Sequence, residues 1–187
     1  MPLIKGRYES GVFHKFNILI NGKFSAMAIK NTAWHSNRIF LNIILTGLLT
    51  GTLDAIAALA WNYKANAGII FEFIASGIFG KAAYTGGSTM VLLGILFHYI
   101  IAYAFTIAFY LTYPFFYKIF RNKYLIGFEY GIICWFVMNI IVIPISKIGL
   151  KPFHVVPTII GIVILIICIG LPVAIFADRR RKRIFIR

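Results

Sequence analysis

The run Ile39–Trp61 (IFLNIILTGLLTGTLDAIAALAW) is almost wholly apolar and carries one carboxylate, Asp54, well inside it. About 20 such residues cross the hydrocarbon core of a bilayer as a helix, and hydrocarbon leaves the backbone no other way to satisfy its N–H and C=O groups. The run is therefore predicted to be a transmembrane helix. Asp54 then sits where a bare charge costs about 2.5–3.5 kcal/mol on insertion scales, so it calls for a partner, a proton or water.

Three further runs of this kind follow, at 88–113, 124–146 and 156–177. Between the first two spans lies a shorter apolar piece, 68–80 (GIIFEFIASGIFG), with Glu72 and Gly77 inside it, Gly80 at its end, and Gly86 and Gly87 beyond. It is too short to span, and the glycines let the chain double back, so a re-entrant or interfacial helix is expected. The fold class is all-α: an integral membrane bundle of four transmembrane helices plus this short one. A basic arm, 1–38, precedes the membrane domain 39–177, and a basic tail, 178–187, follows it. Pro114 is expected to stop or kink the second span, and Pro172 to kink the end of the fourth.

The composition is 60% hydrophobic with a mean hydropathy of +0.87, which excludes an ordinary soluble domain. A net charge of +14 would point to nucleic acid in a soluble chain. Here Lys and Arg lie almost entirely outside the apolar runs, where they set topology and meet anionic lipid headgroups, so nucleic acid is not an expected partner. With both ends and the loop 114–123 placed in the cytoplasm, only Lys64, Lys81, Lys147 and Lys151 of the 19 basic residues fall outside. That bias predicts cytoplasmic termini. No apolar segment with a small-residue cleavage site precedes the first span, so a cleaved signal peptide is not expected, and Met27 reads as an alternative start close to that span. Cys134 and Cys168 lie inside spans and form no CxxC pair, which leaves them as buried free thiols.

Small residues mark where helices can approach closely: Gly47 and Gly51 on the first span, Gly94 on the second, Gly127 and Gly131 on the third. Such faces could also serve a homo-oligomer. At ~1.5 Å per residue, Asp54 and His98 both lie roughly 10–15 Å from the outer ends of their helices, and Glu72 belongs to the element that joins them. The three are expected to meet in one polar pocket. Thr50, one turn from Asp54, and Ser76, one turn from Glu72, are its supporting hydrogen-bonding groups.

A buried Asp beside an imidazole avoids a bare charge either as an ion pair or as a neutral hydrogen-bonded pair, and switching between the two moves a proton. The expected function is therefore non-enzymatic handling of a proton or small solute. The competing class is a structural or interaction protein whose polar cluster only packs helices, as such clusters commonly do. A third class, a haem- or quinone-binding protein, would rest on His98, deep in a span, and His154, at the edge of another. No repeated His spacing supports it, and no cofactor is expected. Asp54, Glu72 and His98 show no metal-ligand spacing, so no metal is expected either. There is no G-x-S-x-G, P-loop or H-E-x-x-H, and nothing argues for an enzyme.

Ala75-Ser76-Gly77 with Gly80, then Gly86-Gly87, His98 followed by Ala102, and Met138-Asn139 before Pro144 and Ser146 form a pattern over about residues 40–177. It resembles the YagU-like family of small bacterial inner-membrane proteins. The resemblance implies a multi-pass protein of the bacterial inner membrane and brings no catalytic residue with it.

Overall fold

The fold is taken from a computed structural model, which describes residues 39–150 and 152–185, with side chains to Arg181. The basic arm 1–38 and the alternative start at Met27 lie outside the described residues. Asn42–Arg187 forms one compact unit, and the packing below is within it; the first residues of the first helix belong to the other unit, Met1–Leu41.

Every described element is helical, and five helices are long and apolar enough to cross a membrane. They are α1, Ile39–Trp61; α2, Ala67–Tyr84; α3, Gly87–Phe120; α4, Lys123–Ile145; and α5, Val155–Arg181. The chain is a multi-pass membrane protein. Its outer surface fits hydrocarbon, because large apolar side chains stand exposed at helical spacing: Leu92, Leu96 and Ile100 on α3, Ile159, Val163 and Ile167 on α5.

Local chemistry sets the helix ends. The Asn66 side chain accepts a hydrogen bond from the Gly68 N–H to start α2, and Asn122 does the same for Tyr124 at the start of α4. The α-helical part of α2, Ala67–Phe79, ends at Gly80, whose φ of 63° suits glycine, and a 3-10 stretch, Gly80–Tyr84, continues it. With that stretch α2 reaches 18 residues, longer than the sequence reading of 68–80.

The prolines behave in two ways. α3 runs through Pro114 to Phe120, so the expected stop at 113 does not occur. Pro114 removes only the bond to the Tyr110 carbonyl, and packing through Phe109 and Tyr113 before it and Phe116 and Tyr117 after it keeps the helix on course. Pro144 and Pro172 each follow a π turn instead, Val137–Val142 and Ile166–Gly170. There the Ile143 N–H bonds to the Met138 carbonyl and the Leu171 N–H to Ile166, a wider ring that admits the missing donor just beyond it. α5 also stays helical into the basic tail, to Phe185, so residues 178–185 extend the last helix and are not a separate segment.

Toward the end of the bundle where α3 runs out and α4 begins, the interior is filled. Phe109, Tyr113, Ile126, Tyr130, Cys134, Val173 and Ala174 form its core, with the Phe109 and Tyr130 rings edge-on at 4.6 Å. The Tyr130 hydroxyl donates to the Phe105 carbonyl at 2.6 Å, tying α4 to α3. α4 and α5 touch backbone to backbone here: a Cβ on Gly170 would run into the Gly127 carbonyl, and one on Gly131 into the Ile166 backbone. α1 meets α3 through side chains instead, because Gly47 faces the Tyr103 ring and Gly51 faces Tyr99 and Ala102. Hydroxyls then close the seam, Thr52 with Tyr99 at 2.9 Å and Tyr103 onto the Ile44 carbonyl at 3.2 Å. Gly94 lies on the Phe71 carbonyl of α2. The packing glycines are all engaged within a single chain.

Candidate functional site

At the other end of the bundle, where α1 and α4 finish and α3 and α5 begin, the helices line a partly open cavity of about 400 Å³. All five contribute to it, each through one face. α1 presents Asp54, Ala58, Trp61 and Asn62, and α3 presents His98, Ile101, Ala102 and Phe105, both at the three-and-four spacing of a helix face. α2 adds Phe73 and Ile74. From α4 come Trp135, Met138, Asn139 and Ile143, and from α5 Pro157, Gly161 and Ile164. The walls are mainly apolar and aromatic, and Asp54, Asn62, His98 and Asn139 are the polar side chains set into them.

Two of the expected residues are brought together. His98 directs Nε2 at the Gly51 carbonyl, 2.8 Å away. A carbonyl only accepts, so this nitrogen carries a proton, and in the neutral ring Nδ1 is the acceptor. Asp54, half-buried on the cavity wall, has the His98 ring as its electrostatic partner and makes no hydrogen bond or ion pair among the described residues. A carboxylate at this depth without a fixed donor depends on water, a proton or a cation.

The other three stand apart. Glu72 is half-buried and is not on the cavity wall, although Phe73 and Ile74 beside it are. The roll of α2 decides this: seating Phe71 on Gly94 turns Phe73 and Ile74 inward and carries Glu72 away from the pocket. Thr50 is fully buried and donates to the Thr46 and Gly47 carbonyls at 2.9 and 3.3 Å, within its own helix. Ser76 donates to the Phe73 carbonyl at 2.6 Å and accepts from Tyr84 at 3.4 Å. Both hydroxyls are spent on local structure. His154 is exposed at the start of α5 and is not on the cavity wall, so it does not face His98 across the cavity. Among the described residues no three of His, Cys, Asp and Glu gather as a metal site.

Sequence reasoning missed Trp135, Trp61 and the role of Asn139. Trp135 and Asn139 are one turn apart, and the Asn139 amide donates to the Trp135 carbonyl at 3.0 Å inside the π turn. The Trp–x–x–x–Asn spacing was the available signal. Comparison with protein-family models, with curated proteins and with solved structures finds no match, so the site is read from its own chemistry.

Proposed function

We propose that the protein is a non-enzymatic membrane protein that handles a proton, or a small solute coupled to one, in the cavity bounded by Asp54 and His98. The observation that carries this is a carboxylate and an imidazole on one wall of a partly open cavity, with the imidazole held at Nε2 and making no hydrogen bond at Nδ1 among the described residues. About 400 Å³ lies within the range of small-molecule sites, and the mixture of aromatic walls with a few polar groups is their usual lining. A proton arriving from the cavity can be accepted by Asp54 or by Nδ1 of His98 without disturbing the Gly51 contact.

In this reading four helices cross the bacterial inner membrane with both ends cytoplasmic, and α2 dips in from outside. Contacts between α2 and α3 support the dip. Gly68 lies by Val91 and Phe71 by Gly94, so the two helices advance in the same sense. A chain that crossed and returned would pair them in opposite senses. The Lys147 N–H on the Gly77 carbonyl, at 2.9 Å, further keeps the end of α2 with the α4–α5 loop, on the side where α3 begins.

The test is proton flux into vesicles carrying the purified full chain and an internal pH dye. A flux above empty vesicles that disappears in Asp54→Asn, with thermal stability retained, is expected. No flux in either form, or equal flux in both, sinks the reading, and a variant that fails to fold assigns Asp54 to helix packing.

A further inference from the structure

A second cavity, of about 430 Å³, lies at the opposite end of the bundle between α3 and α5. α3 lines it with Tyr110, Tyr113, Pro114 and Tyr117, and α5 with Ala177, Arg180 and Arg181. Two guanidinium groups and three phenols therefore face one space. Arg181 is anchored: its Nη2 lies 3.2 Å from Oδ1 of the buried Asp178, and its guanidinium stacks 3.7 Å above the Tyr117 ring. The Tyr113 hydroxyl donates to the same Asp178 oxygen at 3.4 Å. Arg181 Nε is buried and has no hydrogen-bond partner among the described residues, so the ion pair does not exhaust this guanidinium. Arg180 is half-buried and makes no ion pair among the described residues, with the Tyr110 phenol as its electrostatic neighbour. Among the described residues one carboxylate stands against two cations, which leaves the space positive.

Its depth identifies the surroundings. α3 has 34 residues and is about 50 Å long, whereas the hydrocarbon core measures about 30 Å. With Gly87 at the outer surface, as in the four-span reading above, about 20 residues bring α3 to the far edge of the apolar layer, which puts Tyr110–Tyr117 and the arginines opposite them near headgroup level. Tyrosine and arginine both favour that level, and Arg is the side chain whose planar fork matches phosphate oxygens.

We propose that this space is a binding site for a phosphate group, the headgroup phosphate of an anionic lipid, with Arg180 as its principal donor and Arg181, held by Asp178 and Tyr117, as the second. The site is independent of the Asp54–His98 cavity at the other end.

The test uses the full chain in nanodiscs of equal phosphatidylglycerol and phosphatidylcholine, with retained lipid counted by native mass spectrometry. Wild type is expected to retain phosphatidylglycerol selectively, and Arg180→Gln to lose about tenfold in retention, the order of one charge-assisted hydrogen bond. Arg179→Gln removes the same charge from the exposed side of α5, where Arg179 lies over the Phe176 ring, and is expected to change little. Equal retention in Arg180→Gln and wild type overturns the proposal, as does an equal loss in Arg179→Gln, which would make the effect one of bulk charge. Arg180 lies outside the Asp178 ion pair, so its variant should fold. If recovery is poor, Arg180→Lys carries the same test, with reduced retention in support and wild-type retention against. Inorganic phosphate, titrated into detergent-solubilised protein, separates the sources. Arg180-dependent thermal stabilisation by phosphate alone assigns the site to a soluble phosphate, and by phosphatidylglycerol alone to the lipid; stabilisation by neither overturns the site.

Discussion

α4 and α5 lie side by side along most of their length, yet they are packed quite differently at their two ends. Near Gly127, Gly131 and Gly170 backbone meets backbone, and there is no space for even a methyl group. Near Gly161 the nearest atoms belong to the Trp135 indole, 3.2 Å from where a Cβ would stand, so a whole side chain separates the two helices. Opening by that amount, with α2 laid against α3, produces the cavity. Aromatic volume is not lacking at the open end, where Trp61, Phe73, Phe105 and Trp135 all line the wall. They border the space without filling it. A dry void of this size would forfeit dispersion contacts all round its lining, whereas Asp54, His98 and Asn139 give water or a solute something to bond. On the proposed reading, the tightly packed core carries the stability of the bundle and the cavity at Asp54 and His98 its chemistry.

Substitutions can break or sharpen that division. Gly170→Leu should have the largest effect, because the new side chain must enter the Gly127 backbone and the helices can only separate; the expected result is loss of folded protein from membranes, against near-normal recovery of Gly161→Ala. Phe109→Ala, at a fully buried position, should cost about 3 kcal/mol in a detergent unfolding titration, while Phe73→Ala on the cavity wall should cost clearly less. Equal losses would mean that the cavity wall is as structural as the core. Tyr130→Phe removes the 2.6 Å bond to the Phe105 carbonyl and should lower stability by about 1 kcal/mol, measured in the same titration. Asp54→Asn should move stability least, by under about 1 kcal/mol, because no hydrogen bond or ion pair among the described residues is lost. A large loss of stability there would place the carboxylate with the core and not with the chemistry.

Much of the bundle is legible in the residue order because hydrocarbon admits so few solutions. An apolar run of the right length must be a helix, so α1 and the approximate limits of α4 and the apolar part of α5 follow from counting. Depth follows from the same count, which is why Asp54 and His98 could be matched before any contact was known. What escaped the count was rotation. A short helix such as α2 can present Glu72 or Phe73 to its neighbours with almost equal ease, and only its seat on Gly94 selects between them. Thr50 and Ser76 escaped for a related reason: a hydroxyl within reach of its own helix carbonyls can be satisfied locally, and spacing alone does not say whether it is. Pro114 misled because a proline signal reports one missing hydrogen bond and says nothing of the packing that compensates for it.

The amino-acid order by itself determined that this chain lives in a membrane, which stretches become helices, and at what level its ionisable groups lie, since those are properties of one segment in one solvent. Which helix faces meet, where glycine lets backbones touch, and where the helices part to leave an acid and an imidazole around an open volume were decided only by the tertiary structure. These depend on side chains from five helices competing for the same space, and no single stretch of sequence contains that competition.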